Sequence, residues 1–230
     1  MNVRSGIALS AVASLAFVPV AAAQKKPPKP PKPPAPGAVA ITLDAKPNPV
    51  VFGRASTLSG RLSGPVGAGI AVRLEQDKTL PLGDKFEPTG IETTAPANGR
   101  FQFAVKPSVS TQYRVVAKTT PDVTSRPRLI SVRTLVGFRL STSTPRARAR
   151  VRFSGSVLPA HDGASVRIQR RTSTGGFTTV ARSVLRDAGT ARSTYSRFLR
   201  VRRDGVYRVK LAGDSDHVNG FSGLRTINVR

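Results

Sequence analysis

Cysteine is absent from all 230 residues, which excludes disulfides, thiolate metal sites, cysteine nucleophiles and the lipid-attachment cysteine of a lipoprotein. Tryptophan is missing too, and histidine occurs only as His161 and His217. Acidic residues number 12 against 37 Lys and Arg, for a net charge of +25, so the carboxylates on which acid–base catalysis draws are few. After the first two dozen residues, no segment sustains the apolar run of about 18 residues that a membrane-crossing helix needs.

What is present opens with MNVRSGIALSAVASLAFVPVAAA, in which Arg4 is the only charge and Ala21, Ala22 and Ala23 close the stretch. Residues 1–23 have the three-part layout of a secretory signal peptide, with cleavage expected after Ala23. Pro19 interrupts the apolar core, which also falls short of the roughly 20 residues needed to span a bilayer. Residues 24–37 follow as a Lys/Pro-rich linker, QKKPPKPPKPPAP and a glycine. Proline removes amide donors and fixes φ, so this stretch reads as a polyproline-II spacer with a reach on the order of 40 Å. The expected location is outside the cell, secreted or held at the cell wall, with no transmembrane anchor once the leader is cut.

From Ala38 onward the chain repeats itself. STLSGRL at 56–62 lies over VRFSGSV at 151–157, and AVRLEQ at 71–76 over SVRIQR at 165–170. QYRVVA at 112–117 lies over VYRVKL at 206–211, and SRPRLISVR at 125–133 over SGLRTINVR at 222–230. Four blocks in one order, at offsets of 94 to 97, point to a duplicated domain. The expected units are residues 38–133 and residues 134–230.

Within each block apolar residues recur at every second position, as in Val72 with Leu74, Phe101 with Phe103 and Val105, and Tyr207 with Val209 and Leu211. Period two means strands with one face in the core. Asn98-Gly99, Asp162-Gly163, Gly175-Gly176 and Asp204-Gly205 punctuate them as turns. GPVGAG at 64–69 reads as a hairpin loop, because a strand follows it rather than a phosphate-facing helix. About seven short strands in roughly 95 residues predict an all-β fold of two tandem sandwiches.

SGSVLPAHDGASVRIQRR, DGVYRVKLAGDSDH and the closing INVR strand resemble secreted bacterial immunoglobulin-like domains. The first repeat keeps SGRL, VRLEQ, NGRFQF and QYRVVA and departs from the pattern in residues 77–95. The resemblance implies a structural role for Tyr113 and Tyr207, at the place of the tyrosine corner of such sandwiches.

No catalytic constellation emerges. His161 in AHDGA and His217 in GDSDHVNG read as solvated loop residues, and GDSDH lacks the final glycine of a nucleophile elbow. Asp214, Ser215, Asp216 and His217 concentrate polar groups, but calcium wants six to eight oxygens and turn hydrogen bonding accounts for the same residues. Neither a metal nor a small-molecule cofactor is expected, and Glu75 with Asp77 is the best carboxylate pair on offer.

Charge is the remaining handle. Residues 37–133 carry 13 basic and 7 acidic side chains, residues 134–230 carry 19 and 5. Arg146, Arg148, Arg150 and Arg152 alternate, so an extended strand would aim all four from one side; Arg197, Arg200, Arg202 and Arg203 add a second cluster. Guanidinium grips carboxylates and phosphates bidentately. The expected partners are an acidic cell-wall polymer, an acidic polysaccharide or a surface protein, while the scarcity of aromatics argues against nucleic acid. A rival expectation is a specific protein or carbohydrate adhesin using loops 77–90 or 213–221.

Overall fold

The computed structural model describes residues 38–230, apart from 67 and 190. The expected signal peptide and proline-rich linker lie outside the described residues. Those described form strands and turns, and no helix among them is long and apolar enough to cross a membrane.

In the first repeat, Ser56–Ser63 is the middle of a three-stranded antiparallel sheet between Ala40–Lys46 and Arg100–Val105. Facing it, Ile70–Asp77 and Thr111–Ala117 are the central strands of a second sheet, flanked by Glu87–Ala95 on one side and by Val123–Thr124 and Arg128–Ile130 on the other. The second repeat has the same plan. Arg150–Leu158 pairs with Ser193–Arg200, with Leu135–Val136 and Arg139–Leu140 on its outer side. The opposite sheet centres on Ser165–Arg171 and Gly205–Leu211, with Phe177–Val184 and Arg225–Ile227 outside them. Each matched sequence block occupies the same place in its sheet.

The inward side chains of these alternating strands form two separate cores. One gathers Leu58, Val72, Leu74, Tyr113, Val115 and Ile130, the other Phe153, Val166, Ile168, Tyr207, Val209 and Ile227. Both repeats are two-sheet sandwiches of the immunoglobulin type. GPVGAG is not a hairpin loop: it joins Ser56–Ser63 to Ile70–Asp77, which belong to opposite sheets.

The shared Ser-Gly motif has a packing cause. Gly60 is directly opposite Phe101 and Gly155 directly opposite Tyr195. A Cβ on Gly60 would strike the Thr42 carbonyl and the Phe101 ring, and one on Gly155 the Gly137 carbonyl and the Tyr195 hydroxyl. The ring lies where a side chain would be, the arrangement in which an aromatic covers a strand glycine.

Tyr113 and Tyr207 are buried, and Tyr207 meets Phe153 edge-on at 5.2 Å between centroids. The tyrosine that bonds a backbone carbonyl among the described residues is a different one. Tyr195 donates its hydroxyl hydrogen to the Gly137 carbonyl at 2.7 Å, fastening the outer strand to the sheet.

A second shared device reinforces the opposite sheet. Arg114 Nε donates to Glu75 at 2.8 Å and its guanidinium lies over Phe86. At the matching place Arg208 Nε donates to Gln169 at 2.9 Å and lies over Phe177. Ser125 and Ser222 likewise accept the amides of Val115 and Val209.

The repeats meet through backbone pairing. Within the first repeat Val50–Val51 runs parallel to Val132–Arg133, and from the second repeat Val218 bridges Arg133 while its amide donates to the Val132 carbonyl at 2.8 Å. The Ser110 amide donates to the Asp216 carbonyl at 2.8 Å, so the loop 213–219 of the second repeat is fastened to the first.

Candidate functional site

A groove of about 910 Å³ lies on the second repeat at the strands Arg150–Leu158 and Ser193–Arg200. Arg139, Arg152, Arg182, Arg186, Arg192 and Arg197 line it, and no acidic residue does. Ser154, Ser156, Thr194 and Ser196 of these strands also line the groove, so the guanidinium side chains, two from the strands themselves and four from other segments, converge over hydroxyls. Among the described residues none of the six joins a salt bridge. At the matching place of the first repeat a groove of about 400 Å³ runs past Gly60 and Phe101 with one cation, Arg100.

The expected arginine ladder does not form. Arg150 and Arg152 are on the strand Arg150–Leu158, whereas Arg146 and Arg148 belong to the turn before it, where the Ala149 amide returns to the Arg146 carbonyl. Arg148 has φ of 63°, a left-handed conformation incompatible with an extended run. The second cluster divides as well. Arg197 joins Arg152 in the groove, Arg200 pairs across from Arg150, and Arg203 lines another depression with Arg170 and Arg171. Arg202 is exposed in the same turn as Arg203. Arg139, Arg182, Arg186 and Arg192 were not picked out by spacing, because they come from separate strands and turns that only the sandwich brings together.

Glu75 and Asp77 are buried, but neither is poised to exchange a proton. Burial pushes the Glu75 carboxyl up, and hydrogen bonds from Arg114 and Arg73 outweigh it, holding the group below its ordinary 4.5. Burial likewise raises Asp77, and the amides of Gly83, Thr79, Lys85 and Asp84 bring it below 3.8. Both stay ionised as structural acceptors, Asp77 as the hub of the loop after its strand.

The two histidines are not solvated loop residues. His217 is only 6% exposed, and its Nε2 is 2.9 Å from the Ser108 carbonyl of the first repeat. His161, in the connection between Arg150–Leu158 and Ser165–Arg171 of the opposite sheet, brings Nε2 to 3.0 Å from Asp214 Oδ2, while its Nδ1 is 2.8 Å from the Pro159 carbonyl. The rings stand edge to face at 5.3 Å. The turn chemistry expected of GDSDH does occur, since Asp214 Oδ1 accepts the amides of Asp216 and His217 at 2.9 and 2.7 Å. Burial raises the Asp214 carboxyl, and these amides, followed by the two histidines, outweigh it and hold the group below its ordinary 3.8.

No sequence-family model matches the chain, and no curated protein matches it. Among solved structures, a tetra-tandem repeat from the extending region of a large adhesion protein is similar at 15% identity and a TM-score of 0.36, over 83% of this chain and 50% of that one. The chain thus spans half the length of that structure. Bovine butyrophilin is similar at 11% identity and a TM-score of 0.38, over 83% and 99% of the two chains. The D0-D1 domain of intimin is similar at 11% identity and a TM-score of 0.30, over 83% and 98%. The assignment of two tandem immunoglobulin-like sandwiches follows from the strand order and the two cores of this chain itself.

Proposed function

We propose that the chain is a non-catalytic, exported module of the cell envelope or secreted fraction whose second repeat holds acidic polymers in its arginine-lined groove. The observation that carries this reading is the convergence of six arginines, without an acidic neighbour, on one groove of the more basic repeat. Guanidinium forks suit carboxylate, sulfate and phosphate alike, so the partner class is an acidic wall polymer or polysaccharide. Stacking of nucleic-acid bases finds little support, because Phe138 and Tyr195 in the groove are buried in the core.

Retention of the mature chain on an acidic-polysaccharide matrix tests this. Elution should move to lower salt as Arg152, Arg186 and Arg197 become Ser, with a shallower dependence of affinity on salt. Arg146→Ser with Arg148→Ser, outside the groove, should leave it unchanged. Salt-independent elution, or equal loss from both sets, overturns the reading.

A specific protein or carbohydrate adhesin is the second reading. It is supported by the loop of residues 78–86, which Asp77 fixes through four amide hydrogen bonds; a rigid loop on a sandwich is suited to selective recognition. A glycan and protein array at physiological salt separates the two, since an adhesin picks a few ligands and a charged groove binds every acidic one.

A further inference from the structure

The chain has two histidines and no cysteine, so its entire stock of imidazole and thiolate ligands is His161 and His217. These two, 56 positions apart in sequence, meet at one point beside a carboxylate. His161, Asp214 and His217 each aim one ligand atom at a common space, all three atoms within 4.8 Å of one another.

Hydrogen bonding decides which nitrogens carry hydrogen. A backbone carbonyl can only accept, so His161 Nδ1, facing the Pro159 carbonyl, and His217 Nε2, facing the Ser108 carbonyl, each carry a hydrogen, which in a neutral ring is the only N–H. The lone pairs then sit on His161 Nε2 and His217 Nδ1, which both point toward Asp214. His217 Nδ1 is buried and makes no hydrogen bond; it stands 3.3 Å from Asp214 Oδ1, an oxygen already taken by two backbone amides. With both rings neutral, two lone pairs and a carboxylate face one another, an arrangement relieved by a proton on a ring or by a metal ion among the three.

We propose that His161 Nε2, His217 Nδ1 and Asp214 Oδ2 bind one divalent transition-metal ion of the zinc class at the seam between the repeats. Two nitrogens and one oxygen favour zinc, copper or nickel over calcium and magnesium. Ligating histidines characteristically donate their second ring nitrogen to a backbone carbonyl, as both do here. Two ligands on a tetrahedral ion with bonds of about 2.0 to 2.1 Å are about 3.3 Å apart, close to the 3.0 Å between His161 Nε2 and Asp214 Oδ2. Asp214, the most exposed of the three, offers Oδ2 while its Oδ1 stays on the two backbone amides, and its open side admits water as the fourth ligand. Because the Ser108 carbonyl belongs to the first repeat, the ion stiffens the contact between the two sandwiches. The site is independent of the arginine groove.

The test uses the mature chain without a histidine tag, stripped with chelator and titrated with zinc, copper and nickel salts by calorimetry and by thermal melting. One equivalent should bind, with the melting temperature raised by several degrees at saturation. The cobalt-loaded chain should show the visible absorption of a four-coordinate ion. His161→Gln and Asp214→Asn, both at partly exposed positions, should each weaken zinc by tenfold or more while the metal-free melting temperature stays close to wild type. Absence of stoichiometric uptake of any of the three ions, or uptake that both variants leave unchanged, overturns the proposal. Salt elution from the acidic matrix is scored separately, so failure of either site does not bear on the other.

Discussion

Tyr195 stands directly across the sheet from Gly155 and, bending over it, hydrogen-bonds the Gly137 carbonyl at 2.7 Å. The glycine makes room for the ring, and the ring's hydroxyl fastens the strand beyond. Tyr195→Phe should cost about 1 kcal/mol by removing that bond. Gly155→Ala should cost more, about 1 to 3 kcal/mol, because its Cβ meets both the Gly137 carbonyl and the Tyr195 hydroxyl. Chemical denaturation of the second repeat's transition measures both; an alanine variant as stable as wild type would remove this account of the Ser-Gly motif.

Tyr207 supports the same core from the opposite sheet, against Phe153. Truncating it to Ala should destabilise the second sandwich by about 3 kcal/mol through the cavity left behind. An unchanged melting temperature would refute its structural role.

Asp77 gives the first repeat a dependence on acid. Its folded carboxyl titrates below its ordinary 3.8, so its contribution is fully present above that value and disappears as pH falls through the lower, folded one. Asp77→Asn should lose about 1.5 to 3 kcal/mol at neutral pH. The gap between wild type and variant should narrow below about pH 4 in melts run across pH; a constant gap would contradict the assignment.

Glu75 and Gln169 occupy matching positions under Arg114 and Arg208. The second repeat therefore already shows that an amide serves there. Glu75→Gln should be mild, about 1 kcal/mol, whereas Glu75→Ala should cost about 1.5 to 3 kcal/mol by removing the acceptor shared by the partly exposed Arg73 and Arg114. Equal costs for the two variants would mean that the ion pair, rather than the hydrogen-bond geometry, stabilises the strand pair.

Much of the fold was legible in the order of residues. The four repeated blocks, the alternation in Val72 with Leu74 or Tyr207 with Val209, and turn pairs such as Asp162-Gly163 all depend on near neighbours, and the strands formed where those signals lay. Local signals failed where the chain leaves a strand. Arg146 and Arg148 share the alternating pattern of Arg150 and Arg152, yet a turn with a left-handed residue intervenes, so spacing alone counted four ladder positions instead of two.

The candidate sites were decided by tertiary structure. Arg139, Arg186 and Arg197 share a groove because distant strands pair, and His161 reaches Asp214 across 53 positions. His217 is buried rather than solvated because its loop packs on Ser108, 109 positions earlier. Sequence by itself determined strands, turns, duplication and the excess of arginine, since these are set by periodicity and composition. Which arginines converge, and that both histidines turn their lone pairs to one carboxylate, followed only from how the two sandwiches pack, because packing alone brings together residues with no local relation.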